Sequence, residues 1–276
     1  MHTSSRARYP SDLTDAQWAL LQDIVPDQPR RGCPRTYDRR EVVNGLLYVA
    51  RTGCQWRELP HDLLPWPTSY YYFQRWTAAG TLERIHTTLR EQVRRAAGRQ
   101  AQPSAGILDS QTVKVTAHPG PRGYDGGKKL TGRKRHLLVD TLGLLLVVLV
   151  TAANVSDPAG ARQVATRAKA GLPRLRHLWA DGGYAGTLIG WLAEQCGWVL
   201  EIVQHLVPVH TFQVLKRRWV VERTFGWWSG YRRLSKDYEV QPAHSEGWIL
   251  VAMISLMVRR LAPIPKRQKK KLSLFP

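Results

Sequence analysis

The chain has 276 residues, 43% of them hydrophobic, which allows a real core and excludes a disordered polymer. Its 41 Lys and Arg against 21 Asp and Glu leave a formal net charge of +20, which says nothing about fold but points to a polyanionic partner, nucleic acid above all. The three cysteines, Cys33, Cys54 and Cys196, form no CxxC pair, which argues against a zinc finger, and their wide spacing suits a reducing cytoplasm. No secretory signal is expected from MHTSSRARYPSD, and the longest apolar run, residues 142–153, is too short to span a bilayer.

The first hundred residues predict helices. Thr14, Asp15 and Gln17 make a capping box for a helix through Leu20 and Ile24, ended by Pro26 and Pro29. A basic loop, RRGCPRTY, follows. Asp38 and Glu41 start a second helix through Val42, Leu46 and Val49, closed by Gly53. After an aromatic connector, Thr68 or Ser69 is expected to cap a helix through Tyr72, Phe73 and Trp76, and a last helix runs from about Leu82 to Arg95. Short helices with basic ends suit an all-α, helix-turn-helix-like DNA-binding domain over residues 1–100; a plain helical bundle fits the apolar spacing equally well.

GRQAQPSA, residues 98–105, looks like a linker. Beyond it, strands are expected at Ile107–Val113, His136–Asp140, Leu144–Thr151, Leu175–Ala180 and Val199–Val203. Helices are expected at Pro158–Gly171, Thr187–Cys196, Leu215–Gly230 and Ser245–Leu261. The stretch PGPRGYDGGKKLTGRKR has no apolar periodicity and reads as a Gly/Lys-rich loop. The order βββαβαβα over residues 105–262 predicts an antiparallel meander extended by parallel crossovers, an α/β fold with a mixed sheet. Residues 263–276 form a basic tail, expected to be disordered.

Three acids stand out on this frame. Asp109 lies within an apolar strand, where an unpaired carboxylate is costly unless cations or water meet it. Asp181 ends a strand ahead of two glycines, at the sheet edge where open α/β folds carry their sites. Glu222 sits mid-helix among Trp219, Val220, Val221 and Phe225. If the first and fourth strands are neighbours, Asp109 and Asp181 lie side by side. Three oxygen donors with open positions suit Mg²⁺ or Mn²⁺, and two such ions about 3.5–4 Å apart are able to drive phosphodiester exchange. Each acid also has an ordinary role available: Asp181 an Asx turn, Glu222 an ion pair with Arg218 one turn earlier. Asp140 reads as a turn residue, Asp125 as a loop residue and Asp157 as a helix cap.

At these residues the chain resembles the DDE transposases of bacterial insertion sequences, in particular the group named for insertion sequence five. The likeness runs through YPSDLTDAQWALLQDIVP, GLLYVARTGCQWRELP, YYYFQRW, ILDSQTVK, GRKRHLLVDTLGLLL, ADGGYAG and RRWVVERTFGWWSGYRRLSKDYE. The resemblance implies an RNase H-like catalytic domain and a metal-binding triad of Asp109, Asp181 and Glu222. It implies hydrolysis at element ends and attack of the freed 3′-hydroxyls on double-stranded target DNA, by a homodimer on paired ends. A wider pattern places Tyr, Arg, Glu and Lys around the third acid. Here Arg218 and Glu222 match, whereas Leu215 and Ser229 occupy the Tyr and Lys positions. Phosphate contacts therefore fall, on charge alone, to Arg223, Arg232, Arg233 and Lys236, and to Lys128, Lys129, Arg133, Lys134 and Arg135. Trp227 and Trp228 invite base stacking but are read as core. Two other functions fit parts of the pattern: a DNA-binding protein without catalysis, and a host nuclease of the RNase H type.

Overall fold

A computed structural model describes residues 6–26, 37–117, 120–203 and 218–264. The loop around Cys33, the helix start at Leu215 and the tail from residue 265 lie outside the described residues.

The N-terminal segment carries α1 (Asp15–Ala19), α2 (Arg39–Thr52), α3 (Trp66–Ala78) and α4 (Thr81–Ala96). The capping box of α1 forms in full: Thr14 accepts from the Gln17 N–H, and the Gln17 side chain accepts from the Thr14 N–H. Thr14→Ala is expected to cost about 1 kcal/mol, seen as a lower urea midpoint. Asp38 caps α2 and Gly53, at φ 72°, closes it in the left-handed region. The start of α3 differs from the reading above. Pro65 is its N-cap and Pro67 lies in its first turn, where a missing N–H costs nothing, so Ser69 is already inside the helix and buried.

The rest of the chain is β1 (Ala105–Lys114), β2 (Gly123–Asp125), β3 (Leu130–Asp140), β4 (Leu145–Ala152), α5 (Asp157–Lys169), β5 (His177–Ala180), α6 (Thr187–Cys196), β6 (Val199–Ile202), α7 (Trp219–Ser229) and α8 (Pro242–Leu261). The sheet is six-stranded and mixed: β2-β3-β1-β5-β6, with β4 also pairing β3. β1, β3 and β4 form the antiparallel meander, and β5 and β6 add in parallel. Two features depart from expectation. β3 begins six residues earlier than its apolar part, inside the stretch read as a loop, and the short β2 pairs with that extension. Ser156, not Asp157, caps α5.

The two faces of the sheet bury different elements. Ile107, Leu137, Val139 and Trp179 face α7, α8 and the N-terminal helices. Leu108, Leu138, Leu178 and Ala180 face α5 and α6. On that second face Gly160 of α5 lies against the His136 ring, and a Cβ there would fall 2.2 Å from it.

The core does not stop near residue 100. α8 packs against α1, α2, α3, α4 and β4, and a single apolar cluster joins Leu46, Phe73 and Leu89 to Trp248, Met253 and Ile107. Phe73 stacks on Trp248 with ring centroids 4.3 Å apart. Arg94 of α4 pairs with the buried Asp140 at the β3–β4 turn. The N-terminal helices thus share one apolar cluster with the C-terminal half. Among the described residues no helix is long and apolar enough to cross a membrane.

Candidate active site

Strand parity brings the first two acids together. β1 and β5 are parallel neighbours with Ile107 opposite Trp179. Asp109, still within β1, and Asp181, just past the end of β5, each follow two residues later, so they lie at one level and on one face of the sheet. That face is the one α7 covers, and α7 packs directly on β1. Its residue Glu222 points outward, with a side chain 60% exposed.

Arg218 ties the group together. Its guanidinium lies 3.6 Å from Asp181 Oδ2 and 3.9 Å from Glu222 Oε1. The ordinary roles expected for Asp181 and Glu222 are therefore both present: Asp181 Oδ1 accepts from the Gly183 N–H at 2.9 Å, and Glu222 has its i, i+4 cation. Neither consumes the carboxylate. Asp109 Oδ1 likewise accepts from the Ser110 N–H at 2.7 Å. Asp109 and Asp181 each spend one oxygen on backbone, which fixes their orientation. The turn after Asp181 is open, since a Cβ on Gly182 would meet nothing within 4 Å.

The electrostatics are those of crowded carboxylates. Burial, then the Asp181 charge, pushes Asp109 up to about 6 against the opposing pull of the Ser110 N–H and Arg218. Burial and the nearby Asp109 also push up the Tyr184 hydroxyl, which lies beside the same strand ends. A half-buried site lined by oxygen donors, with one carboxyl reluctant to ionise alone, fits a hard divalent cation in donor chemistry. Among the described residues no three His, Cys, Asp or Glu already stand at metal-binding distances. Arg218 lies between Asp181 and Glu222 instead.

The acids set aside behave as structural groups. Asp140 is fully buried and accepts from the Leu142 and Leu144 N–H groups in its turn. Asp125 accepts from Thr112 Oγ1, Gly127 N and Lys128 N. Asp157 accepts from Ser110 Oγ at 2.7 Å and pairs with Lys134 at 3.2 Å, on the α5 side of the sheet. This Ser110–Asp157–Lys134 chain beside the acids went unread, because the three residues are distant in sequence.

The basic candidates divide by burial. Arg133 and Arg135 are 1% and 2% exposed. Arg133 donates to Asp237, Ser245 and the carbonyls of Pro121, Glu239 and Val240, and Arg135 to Gln111 and the carbonyls of Leu234 and Lys236. Lys134 is buried between Asp125 and Asp157. Arg233 is buried on Glu239. The cations of these four are bound to the protein's own acids and polar groups. Lys128, Lys129, Arg232 and Lys236 are exposed and Arg223 is half-buried. Trp228 is core, donating to Met253 Sδ at 3.3 Å, whereas Trp227 is only half-buried.

This fold and site define a protein with clustered carboxylates on a strongly basic scaffold. A model of the transposase DDE domain matches residues 100–257, more than half of the chain, and a model of IS4/5-family transposases matches residues 13–86. The chain belongs to the DDE transposase family of insertion sequences. It is 31% identical over 119 residues to the uncharacterized protein y4sN of Sinorhizobium fredii, covering 42% of this chain and 87% of that one. It is 29% identical over 109 residues to the insertion element IS402 uncharacterized 16.2 kDa protein of Burkholderia cepacia, covering 37% of this chain and 73% of that one. Among solved structures, the Mos1 transposase paired-end complex with left transposon end aligns at 11% identity and a TM-score of 0.25. That alignment covers 64% of this chain and 61% of the Mos1 chain, too loose a likeness to transfer geometry.

Proposed function

We propose that this transposase binds the terminal inverted repeats of its element, cleaves the DNA there and joins the freed 3′-hydroxyls to target DNA. One observation supports this most: Asp109 within β1 and Asp181 at the end of the adjacent parallel strand β5 lie on the face covered by α7, with Arg218 linking Asp181 to Glu222. The sheet, an antiparallel meander of β1, β3 and β4 extended in parallel by β5 and β6, also has the mixed layout that the element order predicts.

In this reading Asp109, Asp181 and Glu222 hold two divalent ions, Mg²⁺ or Mn²⁺. Such ions, when bound, neutralise phosphate charge and favour ionisation of a water or 3′-hydroxyl nucleophile. The protein's own part is positional. The backbone bonds to Asp109 and Asp181 orient their free oxygens. Exposed Glu222 closes on the pair from α7, and Arg218 turns from the carboxylates to a phosphate oxygen. In the first reaction water adds to phosphorus, and the 3′-oxygen of the element end leaves carrying a proton. In the second, that 3′-hydroxyl adds to a target phosphorus and displaces the target's own 3′-oxygen. Each step exchanges one phosphodiester linkage for another bond to phosphorus, so no covalent protein–DNA link and no nucleophilic Ser or Tyr is required.

The N-terminal helices contribute repeat binding, and two copies act on paired ends in the cytoplasm. The test is incubation of the protein with duplexes carrying the element's inverted repeats. Mg²⁺-dependent nicking at the repeat boundary, followed by joining to a second duplex, is expected. Tight repeat binding without cleavage under any metal would replace this reading with a non-catalytic DNA-binding protein. Preferential cutting of RNA–DNA hybrids would replace it with an RNase H-type nuclease.

A further inference from the structure

Trp219, Arg223 and Trp227 recur at i, i+4 and i+8, so they share one face of α7. The Arg223 guanidinium lies 4.4 Å from the Trp219 ring and 5.0 Å from the Trp227 ring. Arg260, near the end of α8, stacks on Trp227 at 4.2 Å. The result is an alternating ladder of indole and guanidinium groups. Its first rung, Trp219, is 42% exposed and lies one turn before Glu222 on α7. Its last rung opens on a cavity of about 380 Å³ lined by Val93, Ala96, Ala97 and Leu142 together with Arg223 and Arg260.

The charge along this ladder is unbalanced. Among the described residues no acid lines the cavity. Asp140, the one acid among the described residues whose field reaches both arginines, is fully buried and already paired with Arg94. Partial burial disfavours the charge on each guanidinium, and Arg223 disfavours it further on Arg260, whose side chain is otherwise exposed. An anion seated between them relieves all of these costs at once. Packing alone explains a cation on a ring, but not an exposed indole in line with two cations that lack an acidic counter-charge.

We propose that this ladder is a second DNA-contact surface, with Arg223 and Arg260 holding backbone phosphates of the strand leading away from the acids and Trp219 stacking an unpaired base at the cut end. It rests on the reading of the protein as a DNA-end transposase. Eight residues of helix rise about 12 Å, on the order of three nucleotides of strand. Stacked aromatics beside a cationic track are how proteins hold unpaired nucleic acid whatever its sequence.

The experiment is fluorescence anisotropy of the full chain with labelled element-end DNA, in EDTA so that binding is read without cleavage. One probe is blunt and one carries a short 3′ overhang, and both are titrated across a salt series. Arg260→Gln is expected to flatten the dependence of log affinity on log salt by about 0.9, one phosphate's worth. Arg260→Lys keeps the slope. Trp219→Ala is expected to weaken the overhang probe about ten-fold and leave the blunt probe unchanged. Both replaced side chains are exposed, and circular dichroism verifies that each variant folds. Wild-type affinity and slope in both Arg260→Gln and Trp219→Ala overturn this inference alone, as does equal weakening of both probes by Trp219→Ala. A wild-type protein that binds neither probe overturns the transposase reading and this inference with it.

Discussion

Replacing Asp109 with Asn is expected to abolish strand cleavage and, in the absence of divalent ions at neutral pH, to make the protein more stable. The first effect follows from its proposed place as a metal ligand: more than about a hundred-fold in rate, the upper end of what losing a mere outer-shell partner costs. The second follows from its environment. The carboxyl titrates at 3.8 in an unperturbed setting and at about 6 in the fold, raised by burial and by Asp181. The folded state therefore binds that proton more tightly than the unfolded chain does. Stability is favoured while the group is protonated, declines as pH rises from about 4 through 6, and carries the full cost above that. Two pH units correspond to about 3 kcal/mol as a ceiling. For a half-buried group, solvent screening reduces that to on the order of 1–2 kcal/mol. Asn removes the charge, so urea unfolding in EDTA should show Asp109→Asn more stable than wild type at pH 7.5 and equal to it near pH 3.5. A variant less stable at pH 7.5 would show that Asp109 is a structural acid, held by partners that need its charge.

Replacing Arg133 with Met is expected to destabilise the fold by about 3–5 kcal/mol, the usual consequence of removing one member of a buried ion pair. Arg133 satisfies Asp237, a carboxylate with no exposed side-chain surface, and three backbone carbonyls between Pro121 and Val240. Met fills the space but leaves the Asp237 charge without its cation, with Ser245 Oγ and the Glu239 N–H still donating to it, and removes the donor from the three carbonyls. Thermal and urea unfolding measure the loss. Arg133→Met with Asp237→Leu should recover part of it, because the second change removes the stranded charge. If Arg133→Met instead keeps wild-type stability and loses DNA affinity, the burial of this side chain does not describe the working protein. Lys128→Gln, on an exposed side chain of the same segment, should leave stability unchanged.

Most helix and strand placements followed from local pattern. The capping box at Thr14, the Asp38 cap and the apolar strand from Ile107 are each written within a few residues. Asp109 and Asp181 were legible for a related reason: a charged residue in or at the end of an apolar strand breaks a local rule, and parity then puts both on one face. What stayed hidden depends on partners far along the chain. Arg133 and Arg135 alternate on β3 as apolar residues would, pointing to the α8 side, but their neutralising groups lie about a hundred residues away. Without those partners the segment reads as a solvated basic loop, and its cations as candidates for DNA. The same distance hides the docking of α8 among the N-terminal helices, for nothing local to Trp248 names Phe73. The spacing of Trp219, Arg223 and Trp227 was present in the sequence, but only the arrival of Arg260 from α8 turned it into a ladder. Glu222 lies between these cases. Its helix was predicted, and the choice between ligand and ordinary ion pair depended on Arg218, which proves to touch Asp181 as well.

Glu222 is therefore the residue on which the account is most exposed, and the decisive measurement is single-turnover cleavage of an inverted-repeat duplex by Glu222→Gln in Mg²⁺. The account predicts a loss of more than about a hundred-fold, with DNA affinity retained in EDTA and part of the rate restored in Glu222→Asp. Cleavage by Glu222→Gln at the wild-type rate would contradict it and leave Glu222 as no more than the helix partner of Arg218.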